Sequence, residues 1–162
     1  PYLPLGSRHD VVVFQTEPLE GDVEVTGPIQ VLLWASSSAP DTDFTAKLID
    51  VSPPSDDYPE GYALNLTDGI IRARYRDSWE HPELLKPGEI VQLTITLYPT
   101  SNLFKAGHRI RLDISSSNFP RFDRNLNTGH QPGMDAEISV AEQTVYHAAE
   151  RPSHITLPVI PR

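Results

Sequence analysis

Three consecutive serines, Ser115, Ser116 and Ser117, open the stretch "SSSNFPRFDRNLNTG" at 115–129, and six histidines are spread along the chain: His9, His81, His108, His130, His147 and His154. Serine activated by histidine is the usual arrangement for hydrolysis through a covalent intermediate. The chain has no G-x-S-x-G, and the strand–turn–helix setting in which such a serine becomes a nucleophile is missing as well. Serines at the end of a strand more commonly cap backbone groups. No catalytic residue is therefore assigned.

Metal and sugar chemistry come next. There is no cysteine, no H-E-x-x-H and no histidine pair at ligand spacing, so no zinc site is expected. Asp41 and Asp43 in "SAPDTDF", or Asp56 and Asp57 in "PPSDDYP", supply the oxygen ligands that calcium takes, but neither pair matches an EF-hand loop. No metal or cofactor is assigned. Tyr58, Tyr62, Trp79 and Phe122 are the aromatics that could stack on a sugar ring, with packing into the domain as the ordinary fate of such residues. Arg72, Arg74 and Arg76 alternate along "IIRARYR"; read as a strand they share one face, which is solvated, paired with neighbouring Asp and Glu, or turned to an anion or acidic surface. Asn65 opens the sequon "NLT", which carries meaning only in a glycosylating secretory pathway.

These residues must be positioned by strands. Segments 11–16, 22–27, 28–36, 43–51, 61–67, 70–76, 90–98, 108–115 and 137–147 read as β, with a further strand near 153–160. Most alternate with period two. Val91, Leu93, Ile95 and Leu97 share a face against Gln92, Thr94 and Thr96, and Ile110, Leu112 and Ile114 oppose Arg109, Arg111 and Asp113. The one helix candidate, 77–88, holds Pro82 and Pro87, which limit it to a turn or two. The expectation is a single all-β domain over 1–162, a jelly-roll β-sandwich of two antiparallel sheets of the galactose-binding-like kind. Its core is expected to hold Val31, Leu33, Leu93, Ile95, Ile110, Leu112 and Ile114. In "PIQVLLWAS" the opposite face also carries Leu32 and Trp34, which reads either as a strand covered by its own loops or as a docking face for a partner domain.

Composition narrows the class. Of 162 residues, 38% are hydrophobic and 22% charged, proportions that suit a folded domain with its own core. The net charge of −9 argues against a nucleic-acid surface. No apolar run approaches the roughly 20 residues of a membrane-spanning helix, so no membrane partner is expected. Absence of cysteine leans towards the cytosol, and the opening "PYLPLG" reads as part of a longer polypeptide.

Two long blocks resemble a known family. "VVVFQTEPLEGDVEVTGPIQVLLWASSSAPDTDFTAKLIDV" is similar to the start of the C-terminal domain of Xaa-Pro dipeptidyl-peptidases and cocaine esterase-like hydrolases, a group that includes α-amino acid ester hydrolases and glutaryl-cephalosporin acylases. "LKPGEIVQLTITLYPTSNLFKAGHRIRLDISSSNFPRFDRNLNTG" resembles its second half. The resemblance implies a non-catalytic jelly roll attached to an α/β-hydrolase domain that carries the catalytic triad. It implies packing on that domain, shaping of the active-site surroundings and often of the oligomer. None of the family's catalytic motifs maps here. On this reading the 115–129 loop is structural and interdomain. Asn118, Arg121, Asp123, Arg124, Asn125 and Asn127 tie down turns or bridge to the partner, and Phe119 and Pro120 anchor them. The alternative is an autonomous carbohydrate- or calcium-binding module.

One further expectation concerns two similar loops, "SSSAPDTDF" (36–44) and "SSSNFPRFD" (115–123), each following a strand that ends in serines. If both strand ends reach one edge of the sandwich, Asp41 or Asp43 can meet Arg121, Arg124 or the backbone of the second loop. Buried polar backbone needs such partners.

Overall fold

The computed structural model describes residues 8–161. Among the described residues there are nine strands: β1 (Val11–Gln15), β2 (Val23–Ser37), β3 (Asp43–Ser52), β4 (Tyr62–Arg72), β5 (Val91–Phe104), β6 (Arg109–Ser115), β7 (Gln143–Tyr146), β8 (His154–Thr156) and β9 (Val159–Ile160). One sheet has the order β1-β6-β3-β4. The other is built on the long strand β2, with β5 along one edge and β7, β8 and β9 in succession along the other. Every pairing is antiparallel, and the two sheets form the expected β-sandwich.

Alternation explains the core. Val25, Ile29, Val31, Leu33 and Ala35 of β2 and Leu93, Ile95 and Leu97 of β5 meet Phe44, Ala46 and Leu48 of β3 and Leu112 and Ile114 of β6. Ile110 is only partly buried, because it lines a gap described below. The segments 22–27 and 28–36 are one strand. Pro28, which has no N–H to give a ladder, sits in a bulge between Gly27 and Ile29, and the strand resumes its register beyond it.

The strands 61–67 and 70–76 also merge, but β4 stops at Arg72 and the chain turns through a 3-10 turn at Ala73–Tyr75. Arg72, Arg74 and Arg76 therefore do not share a strand face. The helix expected at 77–88 is absent. Glu83 N–H donates to Arg74 O, Leu85 N–H to Pro40 O and Gly88 N–H to Ser37 O, so this proline-broken segment satisfies its backbone against neighbours. The strand expected over 137–147 shrinks to β7.

The two long sides of the sandwich differ. On one, β4 lies directly on β5: Thr67 Oγ1 donates to Tyr98 O at 2.8 Å, and Gly69 lets the backbones touch. On the other, between β1 and the β7–β9 edge, a cleft of about 340 Å³ reaches in to Val31, Leu33 and Leu112.

Candidate functional site

After β6 the chain runs irregularly from 116 to 142 and lays part of its length over the outward face of the first sheet. Buried carboxylates hold it there. Asp41 is 0% exposed and Asp43 is 1% exposed. Asp43 begins β3 with its side chain opposite the core residue Phe44, and in the register it faces Arg72, the last residue of β4. Arg72 grips it with two parallel bonds, Nε to Oδ1 at 2.9 Å and Nη2 to Oδ2 at 3.0 Å. The 3-10 turn, tied down by Ala73 N–H donating to Thr42 O, swings Arg74 onto Asp41. Its Nε donates to Oδ2 at 2.9 Å and its backbone N–H to Oδ1 at 3.1 Å.

Asn125 closes the cluster. Its Nδ2 donates to Asp41 Oδ2 at 2.7 Å and to Asp43 Oδ1 at 2.8 Å, while its Oδ1 accepts the N–H of Asn127 at 2.9 Å. Asn127, at φ 61, donates Nδ2 to Ser139 O and so carries the fold of the loop onward. Burial is the main influence on Asp43 and pushes its carboxyl up, against the downward pull of Arg72 and Asn125. The same ion pair raises the Arg72 guanidinium further above its ordinary value.

The two serine-ended loops thus meet at one edge, but through different partners from those expected. Arg121 and Arg124 do not reach Asp41 or Asp43. Arg121 Nε lies 2.8 Å from Asp68 Oδ1 as an ion pair without hydrogen-bond alignment, and Asn118 Nδ2 donates to Asp68 Oδ2 at 3.0 Å. The Arg121 guanidinium also lies over the rings of Tyr98 and Phe122, and that of Arg124 over Phe119 at 4.7 Å. Asp123 reaches Arg72 Nη2 at 3.1 Å from the solvent side. Of the two fates the sequence leaves open for Arg72 and Arg74, a solvated face or pairing with acidic residues, the structure shows the second: they neutralise the buried aspartates.

Held in this way, the loop turns apolar groups outward. Phe119 is 59% exposed. Trp79, 74% exposed, stacks on Tyr75, and both line a shallow concavity with Phe122 of the loop, Ile70 and Arg72. Tyr58 and Tyr62, expected to be packed, are exposed and lie against each other instead. Leu32 and Trp34 are half-buried on the outer face of β2, where Tyr146 and His154 are their cross-strand neighbours.

One of the two aspartate pairs considered for calcium is already committed to the clamp. The charges of Asp41 and Asp43 are compensated by two guanidinium groups and their oxygens are hydrogen-bonded by the Asn125 amide, so this pair has no uncompensated charge for calcium. Asp56 and Asp57 are exposed in a loop. Among the described residues no histidine ring is hydrogen-bonded to a serine hydroxyl. His108 pairs with Asp50 at 2.8 Å and His130 with Asp135 at 2.7 Å.

His130 belongs to a small tether that sequence reading misses. Asp135 accepts the N–H of Glu137 at 2.9 Å and also bonds Thr128 and His130. The Glu137 N–H first, then His130, hold the Asp135 carboxyl below its ordinary value. A depressed carboxylate contributes stability above the unfolded value, about 3.9, and loses it as pH falls through the folded one. The Glu137 amide proton shift is therefore expected to titrate with a midpoint below about 3.9. A midpoint above that value would show that the tether is not formed in solution.

Comparison with known proteins agrees with this architecture. Residues 4–156 match the family model described as the X-Pro dipeptidyl-peptidase C-terminal non-catalytic domain. The chain is 47% identical over 161 residues to the cocaine esterase of Rhodococcus sp. (strain MB1 Bresler), covering 98% of this chain and 27% of that protein. An aminopeptidase from a marine sediment Thaumarchaeota archaeon superposes with a TM-score of 0.90 at 36% identity, over 96% of this chain and 27% of that one. An α-amino acid ester hydrolase superposes with a TM-score of 0.87, also at 36% identity, over 96% of this chain and 26% of its own. The chain thus spans about a quarter of the length of the relatives it matches.

Proposed function

Because the chain belongs to the family of X-Pro dipeptidyl-peptidase C-terminal non-catalytic domains, we propose that it is the accessory β-sandwich of a serine hydrolase of the cocaine esterase type. In this reading it packs on an α/β-hydrolase domain of the same polypeptide and helps to shape the surroundings of the active site. The supporting observation is the contrast within one loop. Asp41, Asp43, Arg72, Arg74 and Asn125 hold its inner side in a buried ionic clamp, while its outer side presents Phe119, Arg121 and Arg124, and its Phe122 shares a concavity with the exposed Trp79. Aromatic residues and arginine on a rigid support are the composition of interface hot spots. Rigidity lowers the cost of docking, because the loop is ordered before the partner arrives.

The substrate chemistry follows the relatives: hydrolysis of an ester, or of an amide of comparable reactivity, carried out by the hydrolase domain. Two measurements test the reading. The isolated chain is expected to leave p-nitrophenyl acetate unhydrolysed, whereas the longer polypeptide hydrolyses it and is inactivated by a serine-directed reagent. In that polypeptide, the double substitution Phe119→Ala and Trp79→Ala is expected to shorten the half-life of the activity at elevated temperature, while leaving the melting temperature of the isolated chain unchanged. Equal effects on both would show that the two rings only stabilise their own domain. Saturable glycan binding lost with Trp79→Ala would replace the reading with a sugar-binding module.

A further inference from the structure

The unequal sides of the sandwich raise a separate question. β1 is an edge strand, and among the described residues it pairs only with β6. Thr16 N–H donates to Ile110 O at 3.0 Å. An antiparallel ladder repeats every second residue, so the N–H groups of Val12 and Phe14 face β6 while those of Val11, Val13 and Gln15 point away from the sheet. Such a row of peptide groups is a template for another strand, and folded proteins usually guard it with proline, charge or a bulge. The facing edge is guarded: Pro152, Pro158 and Pro161 interrupt it, and Glu150 and Arg151 lie in the same stretch. Within β1 itself the sequence VVVFQ carries no proline and no charge.

The inner side of β1 is also unfinished. Register places Val12 opposite Ile114 and Phe14 opposite Leu112, so both side chains point to the core. Val12 is nevertheless 42% exposed. Further along the same side of β1 opens the cleft of about 340 Å³, walled by Phe14, Val31, Leu33, Ile110, Leu112 and Leu157. Apolar walls of this kind gain nothing from water and lose dispersion contacts while they stand empty.

We propose that β1 and this cleft form a strand-addition site, which receives an extended segment of the longer polypeptide with apolar side chains at alternate positions. The proposal rests on reading the chain as one domain of such a polypeptide. The backbone of the incoming segment completes the free edge of β1, and every second side chain enters the cleft, because neighbouring residues of a strand point to opposite faces. The relatives have ample chain to supply it, since this domain covers 27% of the cocaine esterase. A second copy fits less well. Pairing β1 with β1 leaves each cleft empty, because the Val12 and Phe14 of each copy already face its own core.

Amide hydrogen exchange tests the site. In the isolated chain, Val11 and Val13 are expected to exchange near the intrinsic rate, while Val12 and Phe14 are protected. In the longer polypeptide, Val11 and Val13 are expected to slow by roughly 100-fold or more. Val13→Pro removes one outward donor and leaves the β6 ladder intact. It should leave the melting temperature of the isolated chain unchanged and lower that of the longer polypeptide. Val12→Pro, which breaks the β6 ladder, should lower both.

Equal exchange of Val11 and Val13 in the two proteins would overturn the proposal. So would protection already present in the isolated chain, whether at all concentrations (a local cover) or only at high concentration (a second copy). The outcome is separable from the hydrolase reading. An active esterase with unprotected β1 amides defeats only the strand-addition site. Protected amides in a polypeptide without esterase activity defeat only the hydrolase assignment.

Discussion

Asp41→Ala is expected to destabilise the isolated chain by about 3–5 kcal/mol, which is the usual cost of removing one partner from a buried ion pair. Asp41 is fully buried, and its carboxylate serves three donors: Arg74 Nε, Arg74 N–H and Asn125 Nδ2. Removing it strands a guanidinium whose side chain is only 10% exposed and which cannot shed its proton. The Asn125 amide keeps Asp43, so the loop is loosened and not released. Urea unfolding should show a lower midpoint with an unchanged slope, since the surface exposed on unfolding barely changes.

A second variant separates charge from shape. Asp41→Leu combined with Arg74→Met removes both charges at similar volume and should recover most of the loss, because burying the pair is itself costly. A loss below about 1 kcal/mol for Asp41→Ala would be the value of a hydrated surface pair, and the clamp would not then be what holds the loop.

Period-two alternation makes the core legible from the amino acids alone. The apolar faces of β2, β5 and β6 are readable because each alternates cleanly against polar neighbours, and burial follows that alternation. The same rule misleads at the arginines. "IIRARYR" continues the alternation past the point where β4 ends, and nothing local marks the 3-10 turn that sends Arg74 inward. Asn125 is identifiable as part of a polar loop, but its partners lie 82 and 84 residues away. A hydrogen bond over that separation depends on strand order, which period-two arithmetic does not supply. The 77–88 segment fails in the other direction: its prolines are plain in the sequence, but its backbone finds partners in the 37–40 segment. Trp79 enters the candidate surface through the resulting turn, where residue type alone suggests only a ring that could stack on a sugar.

Gly69→Ala is expected to cost about 3 kcal/mol, at the upper end of what overpacking a core position does. Gly69 lies inside β4 opposite Ala46, in ordinary extended backbone, so conformational freedom is not what demands glycine there. Space is. A Cβ at this position would sit 2.4 Å from the carbonyl oxygen of Thr96 and 3.2 Å from Cα of Leu97, both backbone atoms of β5. No rotamer change can relieve a clash with backbone; the two strands must separate. Their separation would strain the neighbouring bond from Thr67 Oγ1 to Tyr98 O and lift Leu97 from the core. Alanine elsewhere in a strand is better than glycine by restricting the unfolded chain, so a gain of a few tenths of a kcal/mol is the expected result if the two sheets were free to slide apart. The sign of the change therefore decides whether β4 and β5 are locked together. A lower unfolding midpoint, together with faster exchange of the β4 and β5 amides than of those in β3 and β6, is the expected outcome. An unchanged or raised midpoint would mean that the closed side of the sandwich is as loose as the open one.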